Sequence, residues 1–89
     1  MELYWREVNN GLNLVVHDGE GEHRVGGIRV LKKGIQAIAE TRGYDPGRAQ
    51  RDLPSVEVAR EFVEHFQPWR EFFAEALEVE ADVRPGLES

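Results

Sequence analysis

Cysteine is absent from this chain of 89 residues. Without thiols there is no disulfide, no iron–sulfur cluster and no thiolate zinc site. The lack leans toward a reducing compartment. No apolar run approaches the roughly 18 residues that a membrane-spanning helix needs. The first residues, MELYWREV, have neither the basic start nor the apolar core of a secretory leader, so the default location is the cytoplasm. Serine is scarce: Ser55 and Ser89 are the two present, and no histidine forms a natural relay with either. His65 beside Glu61 is the remaining general-base candidate, and a solvated flank histidine is the more ordinary reading. An enzyme is therefore not expected, and no catalytic residue is assigned.

Other chemistries fall for similar reasons. Gly19, Gly21, Gly26 and Gly27 look superficially like a phosphate loop, but DGEGEH is acidic and no lysine–hydroxyl pair follows. A calcium loop begun at Asp18 places Arg29 at its twelfth position, where a bidentate glutamate is needed. His17, Asp18, Glu20, Glu22 and His23 cluster around one turn and leave a small metal-binding protein or enzyme as a distant alternative. Their spacing fits no recognised metal site, so neither a metal ligand nor a cofactor is assigned.

What is present is charge, in blocks. The net charge is −6, with residues 1–23 and 52–89 acidic and residues 24–51 basic. The basic segment holds Arg24, Arg29, Lys32, Lys33, Arg42, Arg48 and Arg51 against two acids. Such a map either neutralises itself across the fold or presents one patch to a partner of opposite charge.

Residues 2–8 read as a strand, Asn10-Gly11 as a hairpin turn and residues 12–17 as the return strand. A two-residue loop there pairs Trp5 with Val16 and Glu7 with Leu14; a three-residue loop with a bulge at Gly11 is the alternative. Leu3, Trp5, Leu12, Leu14 and Val16 share one face. A short third strand from Glu22 to Val25 or Gly26 completes a meander. The run Ile28 to Thr41 shows helical spacing at residues 28, 31, 35, 38 and 39, with Gly34 costing about 1 kcal/mol inside it. Residues 43–53 form a connection.

The stretch Pro54 to Val79 predicts a long helix capped by Ser55. Ala59, Phe62, Val63, Phe66, Trp69 and Phe73 lie in one apolar arc, opposite Glu57, Glu61, Glu64, Glu71, Glu75 and Glu78. The phase of both stripes continues through Pro68, which favours a kink over a break with Gln67 as a new cap. The expected architecture is α+β: an antiparallel meander of two or three strands, packed on a medium helix and a long C-terminal helix kinked near Pro68. Residues 1–79 form the domain and residues 80–89 a disordered tail.

The function expected is that of a small acidic binding or regulatory protein acting through protein–protein contact: an inhibitor or accessory subunit, of phage or mobile-element type. Partner-binding candidates are Glu61, His65, Trp69, Phe72 and Glu75, on one flank of the long helix. The alternative is nucleic-acid binding through Arg29, Lys32, Lys33, Arg48 and Arg51. No membrane partner is expected, and a homodimer is as reasonable as a monomer, because so short a chain buries a thin core.

Overall fold

The computed structural model describes residues 1–40, 49–71 and 77–86. Five antiparallel strands form one sheet in chain order: β1 (Glu2–Val8), β2 (Gly11–His17), β3 (Glu22–Leu31), β4 (Gly34–Ala39) and β5 (Ala49–Leu53). One α-helix follows, α1 (Val56–His65), then a single 3₁₀ turn, Pro68–Glu71. The domain is thus mostly sheet, and the expected meander packed on two helices is corrected on both counts.

The first hairpin turns at Asn9-Asn10, one residue before the Asn-Gly pair, with Val8 opposite Gly11 and Trp5 opposite Leu14. Asn10 takes the left-handed conformation, φ 62°, that asparagine tolerates. The register therefore differs by two residues from the expected one. A shift of two preserves the alternation of faces, and all five residues assigned to the apolar face are buried. Gly11 serves a different purpose: a Cβ there would lie 1.8 Å from the Ile28 carbonyl oxygen, so glycine allows β2 to approach β3.

The expected helix from Ile28 to Thr41 is instead the end of β3, a turn at Lys32-Lys33, and β4. Leu31 pairs with Gly34, whose φ of 143° is open to glycine and strained for other residues. Ile28, Val30, Ile35 and Ile38 are β-branched and favour strands. Ile35, Ala37 and Ala39 also alternate. In so short a run the two periods cannot be separated, and the glycine decides between them.

Where β2 meets β3 the ladder carries a bulge: Leu14 pairs with Gly26 and Val15 with Arg24, leaving Val25 as the extra residue, fully buried.

The core lies between one sheet face and α1. Trp5, Leu14, Val16, Val25, Ile28, Ala37 and Leu53 meet Ala59, Val63 and Trp69, with Phe62 and Phe66 partly buried beside them. No polar or charged residue is buried among the described residues. Ser55 caps α1, its Oγ accepting from the Val58 N–H at 3.2 Å. Gly26 seats the helix: a Cβ there would lie 2.6 Å from Val63 Cγ1.

The long helix expected over Pro54–Val79 ends at His65, just short of its midpoint. Gln67 turns into the left-handed region, φ 48°, and Pro68 opens the 3₁₀ turn. Proline could not continue α1, since its ring would meet the Glu64 carbonyl; the chain breaks here and does not kink. Trp69 nonetheless returns to the core, which explains why the apolar phase survives Pro68. Leu77 to Glu80 are not helical. No helix among the described residues is long and apolar enough to cross a membrane.

Residues 80–86, expected to be a disordered tail, run beside β1. The Glu80 N–H donates to the Leu3 carbonyl (2.9 Å), the Arg84 N–H to Trp5 (2.8 Å), and the Glu7 N–H to Arg84 (2.8 Å). Arg84 is thereby a parallel bridge partner of Arg6.

Candidate functional site

The helix covers one face of the sheet. On the other face the pairings align Tyr4 and Arg6 of β1, Asn13 and Val15 of β2, Glu22, Arg24 and Arg29 of β3, and Gln36 and Ile38 of β4. Two regions of unlike character result.

The first lies over β1 and β2. Tyr4 and Val15 are buried although they point away from the helix. The Arg84 guanidinium covers the Tyr4 ring at 3.8 Å from its centroid, and Arg6 lies at 5.2 Å. The Tyr4 hydroxyl donates to Glu22 Oε1 at 2.7 Å and accepts from Arg6 Nη2 at 3.1 Å, while Arg6 also pairs with Glu22. Burial, then the bond to Glu22, pushes the phenol pKa up. The same bond, with Arg6, holds the Glu22 carboxyl below its ordinary value. These side chains satisfy one another, beside a groove of about 560 Å³ whose lining includes Arg6, Asn13, Val15, Glu22 and Arg24.

The second region lies over β3, β4 and β5, and no described residue covers it. A groove of about 270 Å³ is lined by Arg24, Gly27, Arg29, Gln36, Ala37, Ile38, Ala49, Gln50 and Arg51. Arg24 pairs with Glu40 at 3.1 Å, and its guanidinium lies against Gly27, where a Cβ would come within 3.1 Å of Nη2. Arg29 is half-buried. Its Nη1 donates to the Ile28 carbonyl (2.8 Å), to Asn13 Oδ1 (3.3 Å) and more weakly to the Leu12 carbonyl (3.4 Å). These acceptors are neutral, and among the described residues no carboxylate pairs with the guanidinium and no acceptor meets Nη2 or Nε. Arg51 is exposed, and Ile38 places an exposed apolar side chain, 39 % accessible, between the arginines and amides.

Of the nucleic-acid candidates, the structure brings Arg29 and Arg51 to this groove. Lys32 and Lys33 are exposed at the β3–β4 turn and do not line it. Arg48 lies outside the described residues. Arg24 is not among those candidates, because the expected third strand ended at Val25 or Gly26 and Arg29 stood on the expected helix, whereas both arginines belong to β3. Residues 24 and 29 of a regular strand point to opposite faces; the extra residue Val25 puts both on one face. Only the unusual density of glycine at 26–27 hinted at an irregular strand.

The described residues of the expected partner-binding flank divide between surface and core. Glu61 and His65 are exposed on α1. Trp69 is 4 % exposed and belongs to the core. Phe72 and Glu75 lie outside the described residues. Glu64 is partly buried, and burial raises its carboxyl pKa against the opposing charge of Arg60.

Around the β2–β3 turn, His23 Nε2 meets Asp18 Oδ2 at 2.8 Å, and Asp18 Oδ1 accepts from the N–H groups of Glu20 and Gly21. These bonds, His23 first, hold the Asp18 carboxyl far below its ordinary value. His17 Nδ1 accepts from the Gly19 N–H. The cluster organises the turn, and among the described residues no three such side chains gather to hold a metal ion. Comparison of the chain with protein-family models, curated proteins and solved structures found no match.

Proposed function

We propose that this protein is a non-catalytic binding or regulatory protein, and that it engages an acidic segment of another protein through the sheet face over β3, β4 and β5. The observation that supports this most is Arg29, fixed by neutral acceptors in a groove it shares with Arg51 and Arg24. Preorganised guanidinium donors suit carboxylates, which they bind through paired hydrogen bonds. Gln36 and Gln50 add donors and acceptors for a main chain, and Ile38 an apolar contact. A polyanionic nucleic acid fits less well: the described residues lining the groove include no aromatic ring for stacking, and the chain as a whole carries −6. Cytoplasmic location is part of the proposal.

The test is capture from the native host with wild-type protein and with Arg29→Glu/Arg51→Glu, both exposed or half-exposed positions whose exchange leaves the core intact. A protein retained by the wild type and lost by the double variant supports the reading. Equal retention by both contradicts it.

A further inference from the structure

The outer edge of β1 is the second place where this fold meets a ligand-like segment, and there the ligand is its own chain. Residues 80–86 run along the edge of β1, joined by one parallel bridge, Arg6 to Arg84, and by the three main-chain hydrogen bonds that link Glu80 to Leu3, Arg84 to Trp5, and Glu7 to Arg84. Four residues of the segment advance only two along β1, so the chain bends at residues 81 and 82, and Arg60 Nη2 reaches the Ala81 carbonyl at 3.3 Å. Neighbouring side chains then read both faces of the sheet. Val83 packs against the core, whereas Arg84 lies on the Tyr4 ring. Arg84 is also tied by charge: Nη1 and Nη2 donate to the two Glu2 carboxylate oxygens at 3.3 and 3.2 Å, and Nε to Glu80 at 2.7 Å. Arg6 Nη1 donates to the Pro85 carbonyl at 3.2 Å, and Gly86 passes so near Glu7 that a Cβ would lie 2.8 Å from its carbonyl oxygen.

The two sheet edges differ. At β5 the ladder is irregular, Asp52 has a positive φ of 57°, and Gln50, Arg51 and Asp52 are exposed, all features that discourage further pairing. At β1 seven residues pair with β2 in unbroken register, giving a flat edge of the kind that accepts strands.

We propose that the β1 edge is a strand-acceptor site for an extended segment with valine and arginine in the register of Val83 and Arg84, and that a second copy of this chain can supply it by exchange of residues 80–86. Every contact made within one chain can be made between two, because the donor and acceptor surfaces are the same. Within one chain the tether gives the segment an effective concentration on the order of millimolar, so the site is normally self-occupied.

The experiment uses a fluorescent peptide of residues 78–86 and full-length chains. With wild-type protein the tethered segment should hold apparent affinity down by roughly tenfold or more, as competition at millimolar effective concentration requires. With full-length Arg84→Glu, whose own segment is repelled by Glu2, the peptide should bind, and binding should weaken as salt rises. A peptide with Arg84→Glu should not bind either chain. Arg84→Lys, which keeps the charge and loses the planar stack, serves as a second full-length variant and should bind the wild-type peptide with intermediate affinity. No binding to either variant, with both folded by circular dichroism, overturns the site. Binding that ignores the arginine of the peptide overturns the proposed recognition. Wild-type protein that stays monomeric in sedimentation at millimolar concentration overturns exchange between copies.

Discussion

The guanidinium carbon of Arg84 lies 3.8 Å from the centroid of the Tyr4 ring, 80 positions apart in sequence, on the sheet face that the helix does not cover. This contact explains how an aromatic ring remains buried outside the core. It also joins the end of the described chain to its first strand.

Replacing Arg84 by alanine should lower stability, through the lost cation–π contact and the loss of ion pairs that solvent partly screens. Urea denaturation measures the loss. Arg84→Lys should recover part of it, and about 1 M salt should narrow the gap between wild type and Arg84→Ala.

Acid should loosen the same region. Arg84 holds the Glu2 carboxyl below 4.5, and Tyr4 with Arg6 does the same for Glu22. A folded-state pKa below the unfolded value contributes stability above the unfolded pKa and loses it as pH falls through the folded pKa. Glu64, raised by burial, has the opposite slope: its contribution is present below 4.5 and is lost as pH rises through its folded value. Glu64 stands on α1, on the other face of the sheet, so the Tyr4 side follows the two depressed carboxyls. Amide exchange at Glu7, Glu80 and Arg84, corrected for intrinsic rates, should therefore be faster at about pH 3 than near neutrality. Unchanged protection would show that the ion pairs do not hold the segment.

Gly26→Ala should cost about 1–3 kcal/mol by overpacking against Val63. The close approach is specific, 2.6 Å to one side-chain methyl. Val63→Ala in the same chain should recover part of the cost, so a double-mutant cycle in thermal or urea unfolding should show coupling between the two positions. Additive effects would place the strain elsewhere.

The helix flank offers a contrast between neighbours. Trp69→Ala should cost about 3–5 kcal/mol, as truncation of a buried aromatic does. Glu61→Lys should change stability by no more than about 0.5 kcal/mol, as exposed substitutions usually do. Equal effects in urea denaturation would contradict the placement of Trp69 in the core.

How much of this was legible in the sequence follows from which signals were local. The first hairpin and its apolar face could be read because alternation survives a two-residue error in register. Ser55 could be read as a cap because its signal occupies one turn. The β3–β4 hairpin could not, since Ile35, Ile38 and Ala39 suit a helix while Ile35, Ala37 and Ala39 suit a strand. What separates the two readings is the backbone at Gly34 and the pairing with β3, and pairing is not local. The end of α1 at Gln67 was within reach: Pro68 gave the position, but the continuing apolar phase argued for one helix when it reflected the return of Trp69 to the core. The groove was half legible. Arg24, Arg29 and Arg51 all stood in the basic block, but Arg24 shares a face with Arg29 only through a bulge that no spacing rule anticipates. Residues 80–86 carry no periodicity because main-chain hydrogen bonds and one arginine position them.

The most direct measurement of the central proposal is fluorescence anisotropy of a short peptide alternating glutamate and leucine, titrated with wild-type protein and with Arg29→Glu/Arg51→Glu, alongside a single-stranded oligonucleotide of equal charge. Expected is peptide binding by the wild type that weakens with salt and is lost in the double variant, and weaker binding of the oligonucleotide. Peptide binding that survives the charge reversal, or an oligonucleotide bound more tightly than the peptide, would contradict the assignment of the sheet face over β3, β4 and β5 to an acidic protein segment.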